Sequence, residues 1–128
     1  RVLAFDGDAA AIAALRRAGG RVTATQRDLA RRPLLPAELA GAAAMVLDPP
    51  FAGAAAQMPA IAASGVACVV YVSCNPATLA RDARVLREAG FAAAAATPID
   101  QFLWSARLES VVVFVRSRTR VASTARVQ

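Results

Sequence analysis

Short apolar runs and stretches of helical spacing alternate along the chain. Residues 2–5 form an apolar run closed by Asp6-Gly7-Asp8, and the ten residues after it carry Ile12, Leu15 and Ala18 at helical spacing until Gly19-Gly20. That pattern predicts a strand, a turn and a helix. Residues 21–25 alternate and predict a second strand, followed by the loop Gln26-Arg27-Asp28-Leu29 and a segment punctuated by Pro33 and Pro36. A third strand is expected over 42–47, entering Asp48-Pro49-Pro50, and a weakly patterned helix over 54–63. Residues 67–73 read as the clearest buried strand. Pro76 suits the first turn of a helix reaching about residue 89, with Asn75 as N-cap, Leu79, Ala83 and Leu86 on one face and Gly90 as the C-terminal cap. Residues 91–97 and 110–115 are the last two strands.

Strands and helices alternating at this length predict an α/β fold with a parallel sheet, and two adjacent final strands allow an antiparallel hairpin at one edge. With 128 residues and 57% hydrophobic content the chain suffices for one globular domain, far from disordered sequences. The apolar surplus is mostly alanine, which buries little surface per residue, so a thin core is expected. Residues 117–128 turn polar and arginine-rich and are expected to form a loose basic tail. The chain opens on Arg1 and runs straight into a strand, reading as a piece of a longer polypeptide.

The net charge of +6 comes from 15 arginines and no lysines against nine acids. This favours a polyanionic partner, although a coding bias toward arginine produces the same composition. No histidine is present, which excludes a Ser-His-Asp triad and any histidine-bearing metal site. Cys68 and Cys74 are too few and too poorly spaced for a disulfide framework or a zinc site, so free thiols are expected. No stretch reaches the roughly 20 apolar residues that cross a bilayer, and a cytoplasmic location is expected.

The candidate chemistry gathers where strands end: Asp6, Asp28, Asp48 and Cys74. In open α/β sheets ligands bind outside the carboxyl ends of the strands, so four polar groups at four such ends describe one crevice. Asp6 either holds a ribose diol or is a turn acid beside a helix N-cap, and Asp28 carries the same two readings. In Asp48-Pro49-Pro50 the prolines fix a rigid turn, which either aims the carboxylate into the crevice or serves structure alone. Ser73-Cys74-Asn75-Pro76 places a thiol between a strand end and a helix start, where amides and the dipole favour negative charge. A lone cysteine is more often a small buried hydrophobe, as expected for Cys68. Glu109 enters the apolar run Val111-Val112-Val113-Phe114-Val115, either as a base or as a solvated strand-entry acid.

Taken together, three ordered blocks resemble the S-adenosylmethionine-dependent uracil-5 RNA methyltransferases of tRNA and rRNA, in their C-terminal catalytic portion. They are Val46-Leu47-Asp48-Pro49-Pro50 with Ala52-Gly53, the run from Tyr71 through Ser73-Cys74-Asn75-Pro76 to Arg81-Asp82, and Thr97-Pro98-Ile99-Asp100-Gln101-Phe102 leading to Glu109. Arg27-Asp28-Leu29 with Pro33-Leu34 and Glu38-Leu39 looks like a further block. The resemblance implies a Rossmann-like class I methyltransferase sheet over residues 1–116, lacking its first strand and glycine-rich loop. It implies Cys74 as nucleophile and Glu109 as base, and Asp6, Asp28 and Asp48 at S-adenosylmethionine. Asp48, Pro49 and Asn75 would lie at the target base. An RNA partner, a monomer and no metal are expected with it. Without the first strand and its loop, the segment alone is expected to bind S-adenosylmethionine weakly. The chain departs from the family pattern at Phe51, where arginine is usual, and at Arg107, where histidine is usual. A cytosine-5 RNA methyltransferase, for which a cysteine would be wanted in the Asp-Pro-Pro loop, and a truncated domain that only binds RNA are the alternatives.

Overall fold

The computed structural model describes residues 1–117. The segment expected as a basic tail lies outside the described residues, apart from Ser117. Strand β1 (Val2–Asp6) leads into helix α1 (Ala9–Ala18), started by the Asp8 carboxylate, which accepts from the Ala10 and Ala11 N–H groups. Strand β2 (Val22–Gln26) returns parallel to β1, with Asp6 paired to Gln26. Strand β3 (Ala44–Leu47), helix α2 (Met58–Ala63), strand β4 (Cys68–Ser73) and helix α3 (Pro76–Glu88) follow. Strands β5 (Phe91–Ile99) and β6 (Glu109–Arg116) close the fold.

The strands form two sheets. One is β1-β2; the other has the order β3-β4-β6-β5. β3 and β4 are parallel, whereas β6 runs antiparallel to both β4 and β5. The expected hairpin is therefore present, but β6 sits inside the sheet and β5 at its edge. Two parallel and two antiparallel ladders make the architecture mixed rather than mostly parallel. No ladder joins β1 to β3 among the described residues, and Val2, Leu3 and Val46 on these strands are more than half exposed.

The core lies on one face of the larger sheet. Val69 and Tyr71 of β4 and Val112 and Phe114 of β6 alternate inward, meeting Met58 and Ile61 of α2, Leu86 of α3, and Leu34 and Leu39 from the proline-marked segment. Each fully buried aliphatic side chain here contributes about 1.5–3 kcal/mol. Cys68, expected in this core, is only half-buried, because the alternation of β4 turns it to the opposite face from Val69. Arg116, the last residue of β6, donates to the carbonyls of Val66, Ala89, Ile61, Ala62 and Ser64, and its guanidinium lies 4.2 Å from the Phe91 ring centroid. One side chain thus ties together the C-terminal ends of α2 and α3.

Helix α2 is shorter than the alanine-rich pattern suggests. Pro59 stands in the first turn of α2, where its missing N–H costs nothing; in a helix begun at residue 54 it would be interior and its ring would meet the Ala55 carbonyl. The Gln57 side chain is also engaged elsewhere, exchanging hydrogen bonds with both backbone groups of Leu34 at 2.7 and 2.9 Å.

Candidate functional site

Because β1, β2, β3 and β4 belong to parallel pairs, Asp6 and Asp28 follow one pair of carboxyl ends, and Asp48 and Cys74 the other. Strand β6 arrives in the opposite sense, so its first residue reaches the end of β4. Ser73 pairs with Ser110 as the last pair of that ladder, so Cys74 and Glu109 are the residues immediately beyond it on the two strands. Cys74 and Glu109 are both half-buried, and Glu109 accepts from Gln101 Nε2 at 2.8 Å.

The turn carrying Cys74 is fixed from both sides. The Ser73 hydroxyl accepts from the Asn75 N–H and donates to the Asn75 carbonyl, both at 3.1 Å, bending the chain immediately after the strand. Asn75 Oδ1 accepts from the Ala77 and Thr78 N–H groups at the start of α3, while its Nδ2 donates to the Phe51 carbonyl at 3.0 Å. Asn75 thus joins the thiol-bearing turn to the loop after Asp48-Pro49-Pro50. Thr78 Oγ1 reaches the same carbonyl, and Arg81 Nη2 donates to the Ala52 carbonyl at 2.9 Å.

Beneath this loop lies a buried polar network. Asp82 is 1% exposed and accepts from the Tyr71 hydroxyl at 2.6 Å, the Ala54 N–H at 2.7 Å and Arg81 Nε at 2.9 Å. Burial pushes the Asp82 carboxyl upward, but the bonds from Arg81, Tyr71 and Ala54 outweigh it and hold the group below its ordinary value. The Tyr71 hydroxyl is driven far above its usual range by burial first, then by its bond to the Asp82 carboxylate. A helix-face pattern marks position 82 as polar and gives no sign that it is buried. Its partner Tyr71 lies on a different element, which is why the network escapes a reading of the sequence.

Asp48 is exposed, and its carboxylate makes no hydrogen bond or ion pair among the described residues. Asp6 and Asp28 behave first as turn acids. Asp6 Oδ1 accepts from the Asp8 N–H at 2.7 Å, and Asp28 Oδ1 from the Ala30 and Arg31 N–H groups at 3.0 and 3.1 Å. Those bonds fix the carboxylates and leave the second oxygen of Asp6 without a partner among the described residues. The loop holding Asp28 is braced by Arg27, which grips the Glu38 carboxylate at 2.6 Å and the Arg32 and Pro33 carbonyls at 2.7 Å each. The structure gathers Cys74, Glu109, Asn75, Pro49 and Asp48 at one end of the larger sheet; Asp6 and Asp28 sit together on the smaller one.

The two departures from the family pattern meet each other: the Arg107 guanidinium lies over the Phe51 ring, 5.6 Å from its centroid.

A mixed α/β scaffold thus carries a thiol, an acid and a rigid proline turn at one end of its larger sheet. The sequence profile of the tRNA (uracil-5-)-methyltransferase family matches residues 25–117, and the chain belongs to that family. It is 52% identical over 122 residues to an uncharacterised RNA methyltransferase of Caulobacter vibrioides, covering 91% of this chain and 29% of that protein. It is also 50% identical over 124 residues to one of Brucella suis, covering 91% and 30%. Against the 23S rRNA (uracil(1939)-C(5))-methyltransferase RlmD of Haemophilus parainfluenzae it is 44% identical over 72 residues, 56% of this chain and 16% of that one. The fold resembles the Pyrococcus abyssi tRNA (uracil-54, C5)-methyltransferase in complex with S-adenosyl-L-homocysteine, with a TM-score of 0.69, 24% identity, and coverage of 90% of this chain and 28% of that one. The chain thus spans about 30% of the length of the two long-matching relatives.

Proposed function

We propose that this chain carries the catalytic end of an enzyme that methylates carbon 5 of a uridine in tRNA or rRNA through a covalent bond from Cys74. The observation that carries the reading is the Ser73–Ser110 pair that closes the β4–β6 ladder, because Cys74 and Glu109 are the residues immediately beyond it. Carbon 5 of uracil is a poor nucleophile. Addition of the Cys74 thiolate to carbon 6 makes an enolate whose carbon 5 carries the electron pair. S-adenosylmethionine, when bound, supplies the methyl group that carbon 5 receives. Glu109 then takes the proton from carbon 5, and the Cys74–carbon 6 bond breaks to return the thiolate. Gln101 orients Glu109 through its hydrogen bond, and Asn75 acts chiefly by holding the thiol-bearing turn against the Phe51 loop.

The residues present fit the cofactor in part. Asp6 offers a fixed carboxylate with a free oxygen for ribose hydroxyls, Asp28 stands at the neighbouring strand end, and Asp48 with Pro49 lies toward the target base. The unpaired edges of β1 and β3, with Val2, Leu3 and Val46 exposed, are where a further strand of a Rossmann-like methyltransferase sheet would pair. A target base in a structured RNA must leave its stack to reach Cys74.

The test is transfer of labelled methyl groups to uridine-containing RNA by the natural full-length protein, with nucleoside analysis of the product. The reading expects 5-methyluridine, lost in Cys74→Ala and reduced at least about a hundredfold in Glu109→Gln. Formation of 5-methylcytidine, or no methylated RNA, would overturn it.

A further inference from the structure

Phe51 is a large apolar side chain left 58% exposed at the end of a loop whose backbone does not move freely. Its carbonyl accepts from Asn75 and Thr78, the Ala52 carbonyl accepts from Arg81, and the Ala54 N–H is held by Asp82. The ring is therefore presented to solvent on a rigid mount. Arg107 covers it, and among the described residues Arg107 has no carboxylate partner. The sheet order gives this contact its meaning. Phe51 follows β3 and Arg107 precedes β6, and these two strands flank β4. Their contact spans the end of β4, where Cys74 stands. The loop that carries Arg107 also presents Trp104, fully exposed at φ +61°, and Leu103, 82% exposed. A backbone conformation that bulky residues rarely adopt here holds an indole in water.

Resting on the reading above, we propose that Phe51 and Arg107 form a stacking clamp for one nucleobase of single-stranded RNA at the entrance to Cys74. In the free chain the guanidinium occupies the ring face. An entering base takes that face, and the released Arg107 pairs with a backbone phosphate. Aromatic rings and guanidinium groups are the two side-chain types that serve both halves of a nucleotide, and the chain's net charge of +6 suits a polyanion rather than an apolar protein surface.

The experiment is fluorescence anisotropy of a labelled single-stranded oligouridylate titrated with the full chain, repeated over a range of salt. Phe51→Ala is expected to weaken binding about five- to hundredfold, the loss typical of one stacked base, while Phe51→Trp retains it. Phe51→Leu separates stacking from plain apolar contact and should behave as Phe51→Ala does. Arg107→Ala should lower the slope of log affinity against log salt by about 0.7, one single-strand phosphate contact. Far-UV circular dichroism of each variant shows whether the fold is intact. Phe51→Ala binding like the wild type, or Phe51→Leu binding like Phe51→Trp, overturns the clamp alone. A wild-type chain that ignores the oligouridylate at low salt overturns the RNA reading together with it.

Discussion

The Tyr71 hydroxyl donates to Asp82 Oδ2 across 2.6 Å, in an interior where the two residues are 0% and 1% exposed. This contact, shared with the Ala54 N–H and Arg81, joins strand β4, the loop after β3 and helix α3. Asp82→Ala leaves the Tyr71 hydroxyl without its acceptor, at a cost of about 1–3 kcal/mol for a buried group, and leaves the Ala54 N–H only its longer bond to the Tyr71 oxygen at 3.2 Å. Asp82→Asn, which keeps an acceptor but turns an amide toward Arg81, should fall between. Urea unfolding measures both, and an Asp82→Ala chain as stable as the wild type would remove the network from the account.

The same pair gives the protein two pH limits. The Asp82 carboxyl is held below its ordinary value, so the unfolded chain binds that proton more tightly than the folded one. Its contribution is complete above the unfolded value near 4 and is lost as pH falls through it toward the folded value. Tyr71 behaves oppositely: its hydroxyl is raised, so its contribution is complete below the unfolded value near 10 and lost as pH climbs above it. Tyr71 is the only tyrosine in the chain, so the tyrosinate absorption band reports on this site alone. It should not titrate near pH 10 in the folded protein, but should appear with alkaline unfolding.

Gly53 is required by space as well as by backbone. A Cβ at this residue, held at φ +79°, would lie 2.6 Å from Arg81 Nη2, 2.8 Å from Asp82 Oδ2 and 3.0 Å from the Thr78 Cβ. Gly20, at φ +87°, has nothing within 4 Å of the same position. Gly20→Ala should cost only the left-handed backbone penalty of about 1–2 kcal/mol, and Gly53→Ala a further 1–3 kcal/mol or so for displacing the network. Equal thermal stability of the two variants would contradict this.

Arg116 stabilises the fold through carbonyls rather than through a carboxylate. Lysine has one ammonium group and cannot span Val66, Ala89 and Ser64 while lying on Phe91. Arg116→Lys is expected to lose on the order of 2 kcal/mol in urea unfolding, since hydrogen bonds from a charged donor are worth about 1.5–3 kcal/mol each. A loss below about 0.5 kcal/mol, the range of ordinary surface substitutions, would show that the carbonyl cluster is satisfied without it.

Much of this architecture is legible from spacing alone. The Asn75-Pro76 start of α3, the strand preceding Cys74 and the closing hairpin follow from caps, proline placement and apolar runs, all local signals. What escapes is decided by contacts between distant segments. Residues 54–57 have helical composition, yet they form turns closed by Gln57 N–H to the Ala54 carbonyl and Met58 N–H to the Ala55 carbonyl, with Asp82 holding the Ala54 N–H from another element. Arg116 falls where the sequence turns toward a basic tail, and only the fold shows it gripping two helix ends. Phe51 and Arg107 look like isolated departures in a family pattern until the order β3-β4-β6 brings them into contact. That Glu109 opens the strand whose ladder with β4 closes just before Cys74 likewise depends on β6 running antiparallel to β4, a topology that no single segment encodes.

The most direct test of Cys74 as nucleophile uses RNA carrying 5-fluorouridine, incubated with S-adenosylmethionine and the natural full-length protein. Fluorine at carbon 5 gives Glu109 no proton to remove, so the bond from Cys74 to carbon 6 cannot be released. Mass spectrometry should then find RNA attached to the peptide containing Cys74, with the adduct lost in Cys74→Ala and kept in Cys68→Ala. No adduct in the wild type, or one that survives Cys74→Ala, would contradict the account.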